Sequence, residues 1–215
     1  MKINSKSIKK LYADKMANGY NKKVILFEYD QWKEHAINSS HLKPKDRVLV
    51  FCCGTGFDFR YILNKIGQSG YILGVDFSPQ MLEKARKAIA KNGWNNVEVR
   101  EADVTEFDNK NEDYFDAGVC TLGMSIIPDF KKAYSNLLSY IKPGGQLIIS
   151  DMQLASGWRS ILNPLTVTLG RQCGGSYSGY KNTKQLFELM NKDLSNIQYH
   201  SFFQDTYRIC IGLKP

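Results

Sequence analysis

Apolar residues along this chain gather in short continuous runs separated by more polar stretches. Val48-Leu49-Val50-Phe51, Tyr71 to Val75, Phe115 to Leu122 and Leu147-Ile148-Ile149 have the length and β-branched content of strands covered on both faces. Strands are therefore expected at 46–52, 71–76, 97–102, 115–122 and 145–151. Helices are predicted near 5–19 and 24–38 ahead of the first strand, and near 57–67, 79–92 and 130–141 between the others. Ser78 and Pro79 supply an N-cap and a first-turn proline for the helix at 79. A loop-rich stretch over 153–180 follows. After it, 181–191 reads as helix, and 196–203 with 206–213 reads as a closing antiparallel pair. Strand–helix alternation of this kind implies an α/β fold, a parallel sheet wrapped by helices on both faces.

The chemistry concentrates at the end of the first strand. Cys52-Cys53-Gly54-Thr55-Gly56 opens the next helix, and Gly54 and Gly56 allow a backbone path and a close ligand approach that a Cβ would block. Asp76 follows Gly56 by twenty residues, at the end of the second strand, where a carboxylate can accept hydrogen bonds from both hydroxyls of a ribose. A dinucleotide fingerprint would carry a third glycine at position 59, which is Phe59. A P-loop would carry Gly-Lys-Ser/Thr, which is absent. What remains is a nucleoside site without a pyrophosphate cradle.

Residues 50–56 resemble motif I of the class I S-adenosylmethionine (SAM)-dependent methyltransferases, acidic-x-Gly-x-Gly-x-Gly. Val50 stands in place of the acidic residue and Cys52 in place of the first glycine. The missing acid normally helps to hold the ammonium at the methionine end of the cofactor. Asp76-Phe77-Ser78-Pro79-Gln80-Met81-Leu82 resembles the second motif of that family. Further motifs match at 96–104, 115–122 and 141–151, in order and correctly spaced over 46–152. The resemblance implies a Rossmann-like sheet of seven strands in the order 3-2-1-4-5-7-6, with the cofactor at the carboxyl ends of strands one, two and four. It implies that Asp76 binds the ribose, Phe77 packs on the adenine, Asp103 bonds the adenine amino group and Val104 lies beside the ring. Cys52, Gly54, Thr55, Gly56, Met81 and Thr121 complete the implied cofactor site, which takes SAM and releases S-adenosylhomocysteine without a metal. The amino-terminal helices of such enzymes fold over the cofactor as a lid, which makes Tyr12 and Tyr20 candidates for orienting the acceptor. Aromatic packing under the lid is the competing reading of both.

One domain is expected over residues 1–215, with lid helices at 1–45, a cofactor-binding core at 46–152 and an acceptor-pocket insertion at 153–180. The aromatic residues of that insertion, Trp158, Tyr177 and Tyr180, read equally as pocket wall or as satellite core. Five cysteines show no zinc-ligand spacing and read as reduced, with Cys52 the first candidate for reactivity because it touches the loop. His35, His41 and His200 fall in no catalytic motif and read as structural or surface residues. No run of eighteen apolar residues exists and the amino terminus lacks a signal-peptide core, so the expected location is cytoplasmic.

The net charge of +8 lies entirely outside residues 48–150. Ile8, Leu11, Tyr12 and Met16 share one helical face among lysines, which fits either a lid helix or peripheral contact with an anionic membrane surface. A pI near 9.1 also meets the crude electrostatic criterion for nucleic-acid binding. Yet no RNA-binding module is visible, and the segment after strand four lacks the Asn/Asp-Pro-Pro-aromatic signature of base and amide methylation. The small-molecule methyltransferase group, which includes quinone and bacterial phospholipid N-methyltransferase-like proteins, is the resemblance for the whole chain. It implies in-line transfer to a small or lipid-like acceptor (amine, phenol, quinone or phospholipid headgroup) by a monomer or homodimer. An RNA or protein methyltransferase, and a SAM-binding module without transferase activity, are the alternatives.

Overall fold

In the computed structural model, the structure describes residues 29–109, 114–171 and 174–215. Helix α1 (Tyr29–Asn38) precedes strand β1 (Arg47–Phe51). Then come α2 (Phe59–Ile66), β2 (Tyr71–Asp76), α3 (Pro79–Asn92), β3 (Val97–Glu101), β4 (Phe115–Thr121), α4 (Phe130–Ser139) and β5 (Ile141–Met152). The chain closes with α5 (Asn163–Gly170), α6 (Tyr177–Asp193), β6 (Ser195–Phe202) and β7 (Tyr207–Leu213). The seven strands form one sheet in the order β3-β2-β1-β4-β5-β7-β6, parallel except for the two pairings made by β7. This is the order that the resemblance implied.

Strand alternation builds two cores. Val48 and Val50 of β1, Ala117 and Val119 of β4 and Ile148 of β5 face α1, α2 and α3, packing with Ile37, Phe59, Ile62 and Leu82. Leu49, Phe51, Cys120, Leu147 and Ile149 point the other way, toward Phe130, Tyr134 and Leu137 of α4 and Leu186, Phe187 and Met190 of α6. Burial on both faces is why these strands read as unbroken apolar runs.

Phe59 explains why the turn after β1 is not a dinucleotide cradle. A Cβ on Gly56 would come within 2.6 Å of the Phe59 ring, and one on Gly74 within 2.7 Å. The space that a third glycine would leave for close helix–strand packing is filled here by an aromatic ring, and the small residues have moved to its neighbours.

Two elements depart from the sequence reading. Strand β5 begins at Ile141 rather than 145, because Ile141 already pairs with Phe115 before the Pro-Gly-Gly segment shifts the register and pairing resumes at Gln146. The stretch 153–180 is mostly helical: a 3-10 turn at Gly157–Leu162, α5, and α6 starting at Tyr177. Gly157, Pro164, Gly174 and Gly175 punctuate it and give it the pattern of a loop, yet Pro164 sits in the first turn of α5, where its missing N–H costs nothing. The predicted helix at 5–19, with its membrane-facing reading, and the part of the 24–38 helix before Tyr29 lie outside the described residues.

Candidate functional site

All the motif residues of the described chain meet at the carboxyl edge of β1 to β4. Cys52 leaves β1 at φ +53°, followed by Gly54 at +54° and Gly56 at +73°. The position that the family motif fills with its first glycine is left-handed in this chain and carries a residue with a Cβ, at a steric cost. An added Cβ on Gly54 would meet nothing within 4 Å, so the space above the loop is open.

This conformation makes Cys52 testable. Cys52→Gly relieves the left-handed strain but loses sulfur packing, effects of about 1 kcal/mol each, so stability should stay near wild type. Cys52→Val keeps the strain and adds a β-branch, and should cost about 2 kcal/mol or more in chemical denaturation. Its thiol is a poor nucleophile, since a hydrogen bond with Cys120 and burial hold its pKa well above the usual thiol value. Cys53 is pushed up as well, by burial.

The loop is tied to Asp76. The Gly54 N–H donates to Asp76 Oδ2 at 2.8 Å, and the Ser78 N–H donates to Oδ1 at 2.9 Å. The Phe77 backbone amide also bonds this carboxylate. Burial raises the Asp76 pKa to about 6 against these backbone hydrogen bonds, which favour the ionised form. Ser78 caps α3 by accepting from the Met81 N–H, and the Met81 side chain is buried. Thr55 is buried and Phe77 half-buried. On the neighbouring strand the Ala102 N–H donates to the Asp76 carbonyl at 3.1 Å, which brings Asp103 and Val104 beside it. Asp103 Oδ1 accepts from the Thr105 N–H and hydroxyl, and Asn136 of α4 donates to the Val104 carbonyl.

Thr121, at the end of β4, belongs to a cluster that the sequence reading missed. Its hydroxyl donates to Asp58 Oδ2 at 2.5 Å, and the Lys33 ammonium contacts both that hydroxyl and the carboxylate, at 3.0 Å and 3.2 Å from the Asp58 oxygens. All three residues are 2–3% exposed. Asp58 stands at the N-cap position of α2 but caps nothing with its side chain, because the carboxylate is committed to Lys33 and Thr121. Lys33 is delivered by α1, which is fixed by Tyr29 stacking on Tyr207 and by Trp32 packing on Phe202 and Tyr207. A signal for Lys33 exists in the sequence: it lies three and four residues before the buried Ala36 and Ile37, on the inward stripe of its helix.

The cluster also accounts for Val50. Val50 pairs with Val119 and shares its face of the sheet, the face on which Thr121 follows two residues later. An acid at position 50 would project toward the ground that Asp58 already holds. A second carboxylate beside that of Asp58 would share the single Lys33 cation and repel the first. In this chain position 50 is apolar and buried, and the buried acid of this region is Asp58, at the start of α2.

The remaining candidates fall away from this edge or outside the description. Tyr12 and Tyr20 lie outside the described residues. His35 of α1 and His200 of β6 meet edge-to-face at 4.7 Å, and His41 bonds Gln198. Of the aromatic residues of 153–180, Tyr180 is core, whereas Trp158 and Tyr177 are exposed. Among the described residues no group of three His, Cys, Asp or Glu side chains could hold a metal, and no helix is long and apolar enough to cross a membrane.

The comparisons agree with this geometry. A family model described as a methyltransferase domain matches residues 42–202. Demethylmenaquinone methyltransferase of Bacillus velezensis is 26% identical over 211 residues, covering 89% of each chain. That of Desulfitobacterium hafniense is 26% identical over 157 residues, and the match spans 62% of its length and 70% of this chain. Among solved structures, phosphoethanolamine N-methyltransferase 2 of Haemonchus contortus in complex with SAM superposes with a TM-score of 0.68 at 19% identity, over 85% of this chain and 52% of that one. A SAM-dependent methyltransferase from Aquifex aeolicus gives 0.62 at 17% identity over the full length of both. With the motif order, the sheet order and a family model covering most of its length, the chain belongs to the methyltransferase-domain family, in the class I SAM-dependent group.

Proposed function

We propose that this protein transfers the methyl group of SAM to a small or lipid-like acceptor. The observation that carries the reading is the Asp76 carboxylate, fixed by the Gly54 and Ser78 amides at the carboxyl edge of the sheet, where a ribose would lie. The donor set fits the cofactor: an open space over Gly54, a carboxylate for the ribose, Asp103 and Val104 for the adenine, and Asp58 with Thr121 for an ammonium. Asp58 already holds one primary ammonium, that of Lys33, so it is built for the α-ammonium of the methionine moiety. Lys33 would then pair with the α-carboxylate of that moiety.

When bound, SAM supplies a sulfonium methyl that is already activated, and what the chain must add is alignment and exclusion of water. The relatives support a small acceptor of quinone or amine type, since those compared are named as demethylmenaquinone and phosphoethanolamine methyltransferases.

Calorimetry with SAM and S-adenosylhomocysteine tests the cofactor half of the reading, and labelled methyl transfer to quinol, amine and lipid acceptors tests the rest. Absence of binding to either nucleoside would overturn it. The titration should depend on pH. Asp76 titrates at about 6 in the free protein, against 3.8 for an unperturbed carboxyl. Because the folded form holds this proton more tightly than the unfolded chain, Asp76 favours folding less as pH rises from about 4 to about 6, and its contribution is flat above. Ligand binding runs the opposite way, since ribose hydroxyls bond the ionised form. SAM affinity should therefore be constant above about pH 7 and fall as pH drops through about 6, approaching tenfold per unit below it. A flat affinity from pH 7.5 to 5 would place the ribose elsewhere.

A further inference from the structure

We propose that the outer face of residues 157–170 is a docking surface for an anionic lipid bilayer. This ribbon, the 3-10 turn and α5, turns the usual sidedness of a surface helix inside out. Trp158, Ile161, Leu165 and Leu169 are 78%, 79%, 59% and 43% exposed, and Leu162 and the nearby Tyr177 are exposed with them. Their spacing of three to four residues puts them on one face. The side turned inward is Asn163, Thr166, Val167 and Gly170. Asn163 is spent on pinning the ribbon, accepting from the Ala155 N–H and donating to the Ala155 carbonyl. Large apolar side chains facing outward, while the inward side carries Asn163, Thr166 and Gly170 and a single branched apolar residue, Val167, is the pattern of an element that sits in an interface.

Charge decides the occupant. Between Met152 and Phe187 the only charged residues are Arg159, Arg171, Lys181 and Lys184, with no Asp or Glu. Arg159 lies 5.4 Å from the Trp158 ring, and Lys184 reaches Ser156 at 3.2 Å, so basic groups rim the apolar stripe. A second copy would bring the same positive rim to the contact. Residues 1–28 of this chain would too, with seven lysines (Lys2, Lys6, Lys9, Lys10, Lys15, Lys22 and Lys23) against Asp14 and Glu28. A negatively charged bilayer satisfies both the apolar and the basic half. Arginine beside an exposed indole suits the boundary between headgroup and acyl chain.

The ribbon rises from the carboxyl end of β5, the edge of the sheet that carries the candidate site, and α6 packs so closely there that a Cβ on Gly179 would lie 2.0 Å from the Ser125 carbonyl oxygen. Docking would hold that edge against the membrane. Its use in delivering an acceptor rests on the function proposed above, but the surface itself does not.

The test is co-sedimentation of the full-length protein with vesicles of phosphatidylcholine alone and of phosphatidylcholine with about three-tenths phosphatidylglycerol. Binding is expected to the anionic vesicles, to weaken with added salt, and to fall at least tenfold in the double variant Ile161→Glu, Leu165→Glu. These two side chains are exposed, so thermal stability and calorimetric SAM affinity should stay at wild-type values and show that the variant is folded. Trp158→Ser should remove the blue shift of tryptophan emission on vesicle addition. Equal sedimentation of wild type and double variant would overturn the proposal. So would failure of the wild type to bind anionic vesicles, or a concentration-dependent dimer abolished by the double variant. A protein that binds vesicles without binding SAM would sink the proposed function and leave the surface standing.

Discussion

Asp76→Ala is expected to abolish measurable SAM binding. Two hydrogen bonds from ribose hydroxyls to an ionised, buried carboxylate are worth about 1.5–3 kcal/mol each, which places the loss at a hundredfold or more. The substitution also strips the acceptor from the Gly54 and Ser78 amides, which are 2.8 Å and 2.9 Å from it, so the glycine loop loses its tie to β2. Asp76→Asn separates the two effects. Its amide oxygen can still accept from one backbone amide, but its NH2 group confronts the other and can serve only one ribose hydroxyl. Asn should hold the fold within about 1–2 kcal/mol of wild type, because burying an ionised carboxylate already costs the native protein. It should nevertheless bind SAM at least tenfold more weakly. Unchanged calorimetric affinity in both variants would remove the ribose from Asp76 and with it the placement of the whole site.

The sheet was legible because its information is local. Val48 to Phe51, Tyr71 to Val75 and Phe115 to Thr121 are buried on both faces, so each announces itself as a run, and the glycines and Asp76 mark the turns between. Ser78 and Pro79 start α3 where their chemistry said they would. What escaped notice depends on contacts distant in sequence. Lys33 and Asp58 are 25 residues apart and Lys33 and Thr121 are 88 apart. A lysine on a helix reads as a solvated charge unless the stripe it shares with Ala36 and Ile37 is weighed above its type. Asp58 stands at a helix start, where an aspartate ordinarily caps, yet it makes no capping bond. Helix α5 escaped for a different reason: Pro164 and the glycines around it punctuate the stretch, and its large residues Leu165 and Leu169 face outward while Asn163, Thr166 and Gly170 face inward with Val167. Cys52 illustrates a third limit. Nothing in its side chain reveals a left-handed backbone, and only the motif's expectation of glycine there hinted at it.

Asp58→Asn and Lys33→Met should each lower affinity for S-adenosylhomocysteine at least tenfold while leaving 5′-methylthioadenosine, which has the nucleoside and thioether but no amino-acid end, within about twofold. The contrast follows from what each atom does. Asp58 receives a primary ammonium in the structure, and its replacement by a neutral amide removes the charge that attracts one. Lys33→Met leaves a buried carboxylate whose only described donor is the Thr121 hydroxyl, a change worth about 3–5 kcal/mol of stability, because breaking a buried pair by removing one partner costs more than the pair itself contributes. Lys33→Met combined with Asp58→Leu removes both charges, and should regain much of the lost stability without regaining affinity, which separates the binding role from the structural one. If both nucleosides weaken together in the single variants, the ion pair only props the glycine loop against β4. If neither weakens, the methionine end of the cofactor lies away from Thr121, and the apolar residue at position 50 has no replacement in this cluster.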